Sequence, residues 1–281
     1  MNLYDSPLET DVGRERLVGV GAGKLASALL PALHRAGIDI EQVFSRDTEK
    51  AEAMGRAINA QGVDSLQQLN CTATIYLLAV PDDALHEVAT AVSLRIADHA
   101  NPPDSARPPM LVHCSGSASS VTLSQGNIPY GVFYPVQSFS YGIAPDFTQI
   151  PICLTGSTPQ AEDRLASLAL ALGGPVHRIS DAQRAQLHLA AVLVNNFPNH
   201  LFALAAQWME ARDLPFSMLQ PLLLETARKA TIADPRGLQT GPALRGDVAT
   251  LDRHLNALSD QPELAALYRL LTASIQRLAR P

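Results

Sequence analysis

Three small residues near the start of the chain have the types and the spacing of a phosphate-binding turn. Gly21, Gly23 and Ala26 fit the pattern G-x-G-x-x-G/A, directly after a predicted strand and directly before a predicted helix. The first glycine permits a tight turn, the second lets the backbone approach a pyrophosphate, and the alanine lets the helix pack closely on the strand. Lys24 and Leu25 open the helix, whose unpaired N–H groups favour an anion. An ordinary glycine turn is the alternative, but the strand, turn and helix together favour a dinucleotide site.

The end of the second predicted strand determines which dinucleotide this turn would bind. An NAD site usually has an acidic residue there, which accepts a hydrogen bond from the ribose 2′-OH. This chain has Ser45 and Arg46 instead, and Arg46 lies 46 − 23 = 23 residues beyond Gly23. A guanidinium can bind a 2′-phosphate through charge-assisted hydrogen bonds, so the sequence predicts NADP(H). The alternative is that Arg46 only opens a solvated helix, which Asp47 is expected to cap.

Two further predicted strands carry candidate residues at their carboxyl ends, where ligands bind in open α/β sheets. The turn formed by Ala79, Val80 and Pro81 is predicted to line the ribose and the nicotinamide. His113 and Ser115 follow the next strand and are candidates for contact with the nicotinamide or with a substrate. Simple hydrogen bonding within the loop is an equal alternative for both.

A long helical pattern begins at Ser180, and its polar residues fall within a sector of about 60° at 100° per residue. They are Arg184, His188, Asn195 and Asn199. The other directions are mostly apolar, which predicts a buried helix whose polar stripe lines a substrate cleft; a solvated face is the alternative. Histidine ordinarily titrates near neutral pH, so His188 is the predicted proton donor and Asn195 is predicted to orient a carbonyl or imine.

A second polar segment lies further along the helical part, where a Gly-Pro pair indicates a helix start. Arg245 follows this pair by three residues and could hold a substrate carboxylate. It could equally pair with Asp247 in the same segment. The sequence leaves both possibilities open.

The elements that would position these residues alternate between β-branched runs and helical patterns as far as residue 180. Strands are predicted at 17–20, 40–45, 74–80, 110–113, 131–134, 152–154 and 176–179, and helices at 24–36, 48–60, 82–100 and 159–172. This alternation predicts a parallel, doubly wound α/β sheet. Only helical patterns follow, beginning with Ser180 and Gln183 at capping-box spacing. We expect a tail at 1–15, a Rossmann domain at 16–180 and a helical substrate and dimerisation domain at 181–281.

The composition restricts the class of protein. The 281 residues are 47% hydrophobic and 17% charged with a formal charge of −6, which is typical of a globular protein that does not bind nucleic acid. The three cysteines lack CxxC spacing, which predicts no disulfide framework, no metal site and a reducing cytoplasm. No run reaches about 18 consecutive apolar residues, so no membrane span is expected.

Together these segments resemble the superfamily of β-hydroxyacid dehydrogenases and pyrroline-5-carboxylate reductases. The resemblance is carried by residues 21–26, 44–46, 79–82 and 113–116. The segments Tyr134-Pro-Val-Gln137, 188–196 and 240–247 more closely resemble the group that pairs a Rossmann-like domain with the domain of unknown function 2520. The resemblance covers nearly the whole chain and implies a homodimer formed through the helical domains. Tyr134, Gln137, Asn199 and Arg245 become candidate substrate-binding residues.

One departure limits what this resemblance implies about the reaction. Many β-hydroxyacid dehydrogenases place a catalytic lysine four residues before a helix asparagine, but Ala191 and Val192 occupy those positions before Asn195 and Asn196. Neither residue can transfer a proton. Two hypotheses follow: an NADPH-dependent reductase of a small ketoacid or cyclic imine with His188 as the proton donor, or a catalytically silent NADP-binding sensor or scaffold.

Overall fold

The computed structural model describes residues 15–97 and 107–278. An eight-stranded sheet with its helices forms the first part of the chain, and the described residues after 180 are helical. The predicted fold class, an α/β sheet followed by an all-α part, is therefore confirmed.

The sheet has the strand order β3-β2-β1-β4-β5-β6-β7-β8. Its strands are β1 (Arg16–Val20), β2 (Asp39–Phe44), β3 (Gln61–Val63), β4 (Ile75–Leu78), β5 (Met110–His113), β6 (Tyr130–Pro135), β7 (Ile152–Gly156) and β8 (Val176–Arg178). All neighbours pair in parallel except β6 and β7, which are antiparallel. The strand order reverses between β1 and β4, and a ligand crevice is expected at their carboxyl ends.

Four α-helices belong to the sheet region and six follow it among the described residues. The first four are α1 (Lys24–Arg35), α2 (Thr48–Ala57), α3 (Leu85–Ala97) and α4 (Pro159–Ala171). The others are α5 (Asp181–Ala191), α6 (Phe197–Glu210), α7 (Gln220–Ile232), α8 (Pro242–Arg245), α9 (Val248–Ala257) and α10 (Pro262–Leu278).

Alternating strand residues form a core on each face of the sheet. Leu17 and Leu77 belong to one buried cluster, whereas Val18 and Leu78 belong to the other. Successive strand residues point to opposite faces, so these apolar runs must be covered on both sides. The helices that alternate with the strands provide this cover.

Two predicted helices differ from the structure in instructive ways. Helix α1 continues through Pro31, although an interior proline removes a backbone hydrogen bond and usually kinks a helix. Helix α2 ends at Ala57 instead of residue 60, because Asn59 adopts a left-handed conformation (φ 55°) that stops the helix. The chain then forms β3, a three-residue strand that periodicity cannot reveal.

Glu15 is buried, so the predicted loose tail does not include it. Its carboxylate accepts hydrogen bonds from Arg164 Nε and Nη2, both at 2.8 Å, and from Arg107 Nη1 at 2.8 Å. The hydroxyl of Thr74 also donates to it. Burial by itself raises the pKa of Glu15, but these donors outweigh it and hold the pKa below its usual range. Residues 1–14 of the predicted tail lie outside the described residues.

A π turn at Val192–Asn196 connects α5 and α6. The capping box of Ser180 and Gln183 at the start of α5 is confirmed. Pro198 follows in the first turn of α6, and because it has no N–H it cannot continue the hydrogen-bond pattern of an α-helix. The wider π turn accommodates this position. The 100° spacing that grouped His188 with Asn195 is therefore interrupted.

The sequence predicted that the long helix beginning at Ser180 is buried. In the single chain this prediction is wrong for the stretch from α5 to α6. Leu189, Leu193, Val194 and Phe197 are exposed, Val194 by 76%. The stretch Asp181–Glu210 is also long and apolar enough to cross a membrane, which the count of consecutive apolar residues did not indicate. A single such helix is a weak indication, because packed helices of soluble proteins share this composition.

The chain divides into two compact units, Met1–Asn195 and Asn196–Pro281. We call them the sheet unit and the helical unit. The division falls inside the helical stretch, whereas the domain boundary predicted near Ser180 marks the last strand. The predicted boundary at residue 180, between a Rossmann domain and a substrate domain, stays a prediction.

Candidate active site

Gly21 adopts a backbone conformation that requires glycine. Its φ is 114°, and a Cβ there would collide with the carbonyl oxygen of Ala79. Its N–H donates to the carbonyl of Phe44 at 2.8 Å. The turn is thus packed against the ends of β2 and β4, on both sides of the first strand.

The N-terminus of α1 has the features of an anion site. Gly23 is its N-cap residue, with no side-chain cap, and a Cβ at Gly23 would meet no atom within 4 Å. The first turn contains no acidic residue, and Ala26 is fully buried against the sheet. Open space at the uncapped end of a helix fits a pyrophosphate.

Ser45 and Arg46, the predicted 2′-phosphate contacts, directly follow β2. Ser45 is half-buried, and its hydroxyl accepts from the N–H of Asp47 at 3.2 Å. The Arg46 side chain is exposed and has no hydrogen bond or ion pair to any residue that the structure describes. Asp47 caps α2 through the N–H of Lys50 and also pairs with the Lys50 ammonium at 2.7 Å. The capping role predicted for Asp47 is confirmed, and its charge is already balanced by Lys50.

A hydrogen bond joins the loops after β4 and β5. The hydroxyl of Ser117 donates to Asp82, whose loop begins at the predicted turn of Ala79, Val80 and Pro81. Ser115 Oγ accepts from the N–H groups of residues 117 and 118, at 3.1 and 2.9 Å. Ser115 therefore shapes the loop, the alternative that the sequence allowed, while contact with a ligand stays a prediction.

His113 is fully buried under this loop. Its Nδ1 accepts from the N–H of Ser115 at 3.1 Å, and its Nε2 has no hydrogen-bond partner among the described residues. Burial and the charge of Arg184 lower the pKa of His113 to about 4. A neutral, enclosed imidazole is poorly suited to donate a proton near neutral pH.

Arg184 is 1% exposed, and its side chain forms a hydrogen-bond network that the sequence did not predict. Its guanidinium donates to Asp181 at 2.8 Å, to Thr155 at 2.9 Å and to the carbonyl of Ala118 at 2.5 Å. Asp181 also accepts from the side chain of Ser119. These contacts fix the start of α5 to β7 and to the loop after β5.

Hydrogen bonding controls the charge of Asp181. Burial by itself raises its pKa, but donors from Ser119, Ser120 and Arg184 lower it to about 2. The capping box at Ser180 locates Asp181 in the first helical turn, three residues before Arg184. The spacing of an i,i+3 pair was the signal available in the sequence.

His188 lies one turn after Arg184 and is half-buried. Its Nδ1 is 3.2 Å from the hydroxyl of Tyr134, which lies near the carboxyl-terminal end of β6. Gly116 of the loop after β5 packs against both rings. Two residues that the sequence assigned separately, to proton transfer and to substrate binding, are thus brought together.

The remaining candidates are exposed within their own units. They are Gln137 and Asn195 in the sheet unit, and Asn199 and Arg245 in the helical unit. Asp247 caps α9 through Thr250, which lowers the pKa of Asp247; the charge of Arg245 acts in the same direction without an ion pair between the two side chains. Their roles toward a substrate stay predictions. In the described residues no group of His, Cys, Asp or Glu has the arrangement of a metal site.

Comparison with known proteins supports this description. Residues 17–100 match the family described as NADP oxidoreductase, coenzyme F420-dependent, and residues 150–275 match the domain of unknown function 2520. A Bacteroides fragilis protein assigned as an NADP oxidoreductase is 36% identical, with 95% of this chain and 99% of that chain covered and a TM-score of 0.86. The chain belongs to this NADP oxidoreductase family. No curated protein matches it significantly.

More distant structures share the fold of this NADP oxidoreductase family. An imine reductase from Myxococcus stipitatus in complex with NADP+ is 18% identical, with 93% of each chain covered and a TM-score of 0.63. A 1-pyrroline-5-carboxylate reductase from Streptococcus pyogenes is 14% identical, with 94% of this chain and 97% of that chain covered and a TM-score of 0.58. The family establishes NADP as the cofactor. The turn at Gly21 and Gly23 fits it, as does Arg46, whose side chain has no partner within residues 15–97 and 107–278.

Proposed function

We propose that this protein is an NADPH-dependent reductase that reduces the C=N or C=O group of a small ketoacid or cyclic imine. NADPH supplies a hydride to the carbon, and His188 supplies a proton to the nitrogen or oxygen. The observation that carries the proposal is the placement of His188. Its half-buried imidazole is held by Tyr134 beside the loop that follows β5, at the carboxyl edge of the sheet.

The electrostatics of the site support His188 as the acid. The neutral His113 is enclosed, and the charge of the buried Arg184 is balanced by Asp181 at 2.8 Å. His188 is thus the half-buried imidazole of this cluster, and its Nε2 has no hydrogen-bond partner among residues 15–97 and 107–278. An imidazole with one open nitrogen can donate a proton there.

The exposed candidates complete the proposal. Asn195 lies in the π turn, a feature that is frequent at functional sites, and its amide would orient the reacting group. Gln137 would provide a further substrate contact in the sheet unit. For Asn199 and Arg245 of the helical unit, contact with a substrate stays a prediction, with a carboxylate as the ligand expected for the Arg245 guanidinium. The absence of a lysine four residues before Asn195 keeps one alternative in view, a silent NADP-binding sensor.

We also propose that the protein is a cytoplasmic homodimer. The exposed apolar side chains of α5, α6 and the helices that follow need cover in water, and a second copy would provide it. The three cysteines are free thiols, as is typical of a reducing compartment.

The test is a screen of ketoacids and cyclic imines for substrate-dependent oxidation of NADPH, followed by His188→Asn on any active substrate. General acid catalysis contributes roughly 10²- to 10⁴-fold, so turnover should fall by that order while NADPH affinity stays nearly unchanged. His34→Asn, on the exposed end of α1, is the matched control and should have wild-type turnover.

Each other result has a definite meaning. If no substrate is turned over, the sensor hypothesis replaces the reductase. If His188→Asn lowers thermal stability without a selective loss of turnover, His188 is structural and the proposed acid is wrong.

A further inference from the structure

Tyr134 and His188 come from different elements and meet as a pair. Tyr134 is buried near the end of β6, and His188 lies in α5. The hydroxyl is 3.2 Å from Nδ1, and the rings are edge to face, with centroids 6.0 Å apart and planes at 71°. Nδ1 is the only hydrogen-bond partner of this hydroxyl within the described part of the chain.

The loop after β5 packs against both rings of the pair. A Cβ at Gly116 would lie 2.5 Å from His188 Nδ1 and 2.8 Å from Tyr134 Cζ, so only glycine fits. Leu187, the residue before His188, packs on the small cluster that includes Tyr134 and Cys153. Both rings are therefore fixed by packing before any ligand binds.

A phenol is a suitable partner for an imidazole that changes protonation state. Its hydroxyl donates to Nδ1 when that nitrogen is bare and accepts from Nδ1–H when the ring is charged. A carboxylate in this place would favour the charged ring strongly, whereas a hydroxyl satisfies Nδ1 in both states. The Nδ1 atom can thus stay bonded throughout a proton transfer at Nε2.

We propose that Tyr134 is a positioning residue that holds His188 through Nδ1 and so makes Nε2 the atom that delivers the proton. This inference rests on the proposed function of His188. In the step, the Nε2–H bond of the imidazolium breaks, the proton passes to the substrate nitrogen or oxygen, and the neutral ring keeps its proton on Nδ1. Solvent then returns a proton to Nε2.

The protonation of Tyr134 agrees with this role. Burial raises the pKa of Tyr134, and the Cys153 thiol acts in the same direction, while the Arg184 charge opposes them. The phenol therefore remains a neutral O–H group near neutral pH.

The first test needs no substrate and reads the imidazole directly. In ¹⁵N NMR of the full-length protein with NADP+, neutral His188 should show a hydrogen-bonded Nδ1. Tyr134→Phe should move the Nδ1 resonance and leave Nε2 nearly unchanged. Tyr76→Phe is the matched control, because it removes a buried hydroxyl that bonds the carbonyl of Asn70 elsewhere in the sheet unit. An Nδ1 resonance that does not respond to Tyr134→Phe would overturn the proposal.

The second test uses turnover of a substrate found in the NADPH screen. Loss of one hydrogen bond predicts a decrease in kcat of about 2- to 10-fold for Tyr134→Phe, with unchanged NADPH affinity. Added to His188→Asn, the same substitution should have no further effect, because Tyr134 acts through His188. Additive losses, or a loss as large as that of His188→Asn, would overturn the positioning role.

The two tests separate this inference from the proposed function. If the Nδ1 resonance does not respond to Tyr134→Phe but His188→Asn loses most of its turnover, the reductase proposal stands and Tyr134 has no positioning role in it. An Nδ1 resonance that responds to Tyr134→Phe, in a protein without turnover, would support the hydrogen bond between Tyr134 and His188 and contradict the proposed reductase activity.

Discussion

The sheet unit and the helical unit differ in how they bury their apolar residues. The sheet unit covers both faces of its sheet within one chain. Only four described residues of 196–278 are buried, namely Ala243, Leu251, Leu258 and Ala265. Large apolar side chains of α7 and α10 are exposed instead, including Leu222, Leu224 and Leu270. A domain of this size normally buries most of its apolar surface, and this exposed surface is the reason for proposing that a second copy covers it.

The two units also differ in their buried polar groups. All buried polar residues among those described belong to the sheet unit, and its buried charges, Glu15 and Arg184, are paired. The helical unit buries no charge in the described range. The sheet unit therefore contains the buried, paired charges that surround the proposed acid. The helical unit contains the exposed apolar surface of the proposed dimer interface.

The largest expected effect concerns the oligomeric state. The wild type should have a mass of about 60 kDa by light scattering, twice 30.0 kDa. Leu222→Glu should weaken the dimer about 100-fold or more, because it removes interface burial and adds a charge without a partner. Leu94→Glu, equally exposed on α3 of the sheet unit, should remain dimeric. A wild type that is monomeric at micromolar concentration would refute the dimer, and a second copy could then not explain the exposed leucines of the helical unit.

The second prediction tests the completeness of the sheet unit. Glu15→Gln leaves the largely buried Arg164 without its counter-charge and should cost about 3–5 kcal/mol in the free energy of unfolding. The control Glu52→Gln breaks an exposed i,i+4 pair with Arg56 and should cost less than about 1 kcal/mol. Urea unfolding of the three proteins gives both values. Similar losses in the two variants would show that the Glu15 network does not stabilise the sheet unit.

The third prediction concerns acid. The folded-state pKa values of Glu15 and Asp181 are below their unfolded values, that of Asp181 at about 2. Their stabilisation is therefore complete above the unfolded values, about 4, and is lost as the pH falls toward 2. The melting temperature should decrease over this interval, and less steeply in Asp181→Asn. A variant with the same acid dependence as the wild type would contradict the assignment to Asp181.

The sequence predicted the fold well because strong local patterns specify it. The glycine turn, the strands of the sheet and the Ser180 capping box depend on neighbouring residues, and all are present. Tertiary contacts account for what was missed. Glu15 meets Arg164 across 149 residues, and Tyr134 meets His188 across 54, which no local pattern reveals. The π turn lies just before Pro198, and it interrupts the helical spacing on which the predicted polar stripe was based.

The smallest expected effect is on cofactor choice, which tests whether the sheet unit alone contains the specificity for the 2′-phosphate. Arg46 has no ion pair among the described residues, whereas the nearby Lys50 is paired with Asp47 at 2.7 Å. Arg46→Ala should weaken NADPH binding about 10- to 150-fold, the value of a charge-assisted hydrogen bond, and leave NADH affinity nearly unchanged. The control Arg56→Ala removes an exposed arginine from the same helix region and should change neither affinity. Because Arg46 is exposed, the preference should also weaken as salt is raised. Equal wild-type affinities for the two cofactors by fluorescence titration would remove Arg46 from the site, and the selection of the 2′-phosphate would then have to come from other residues.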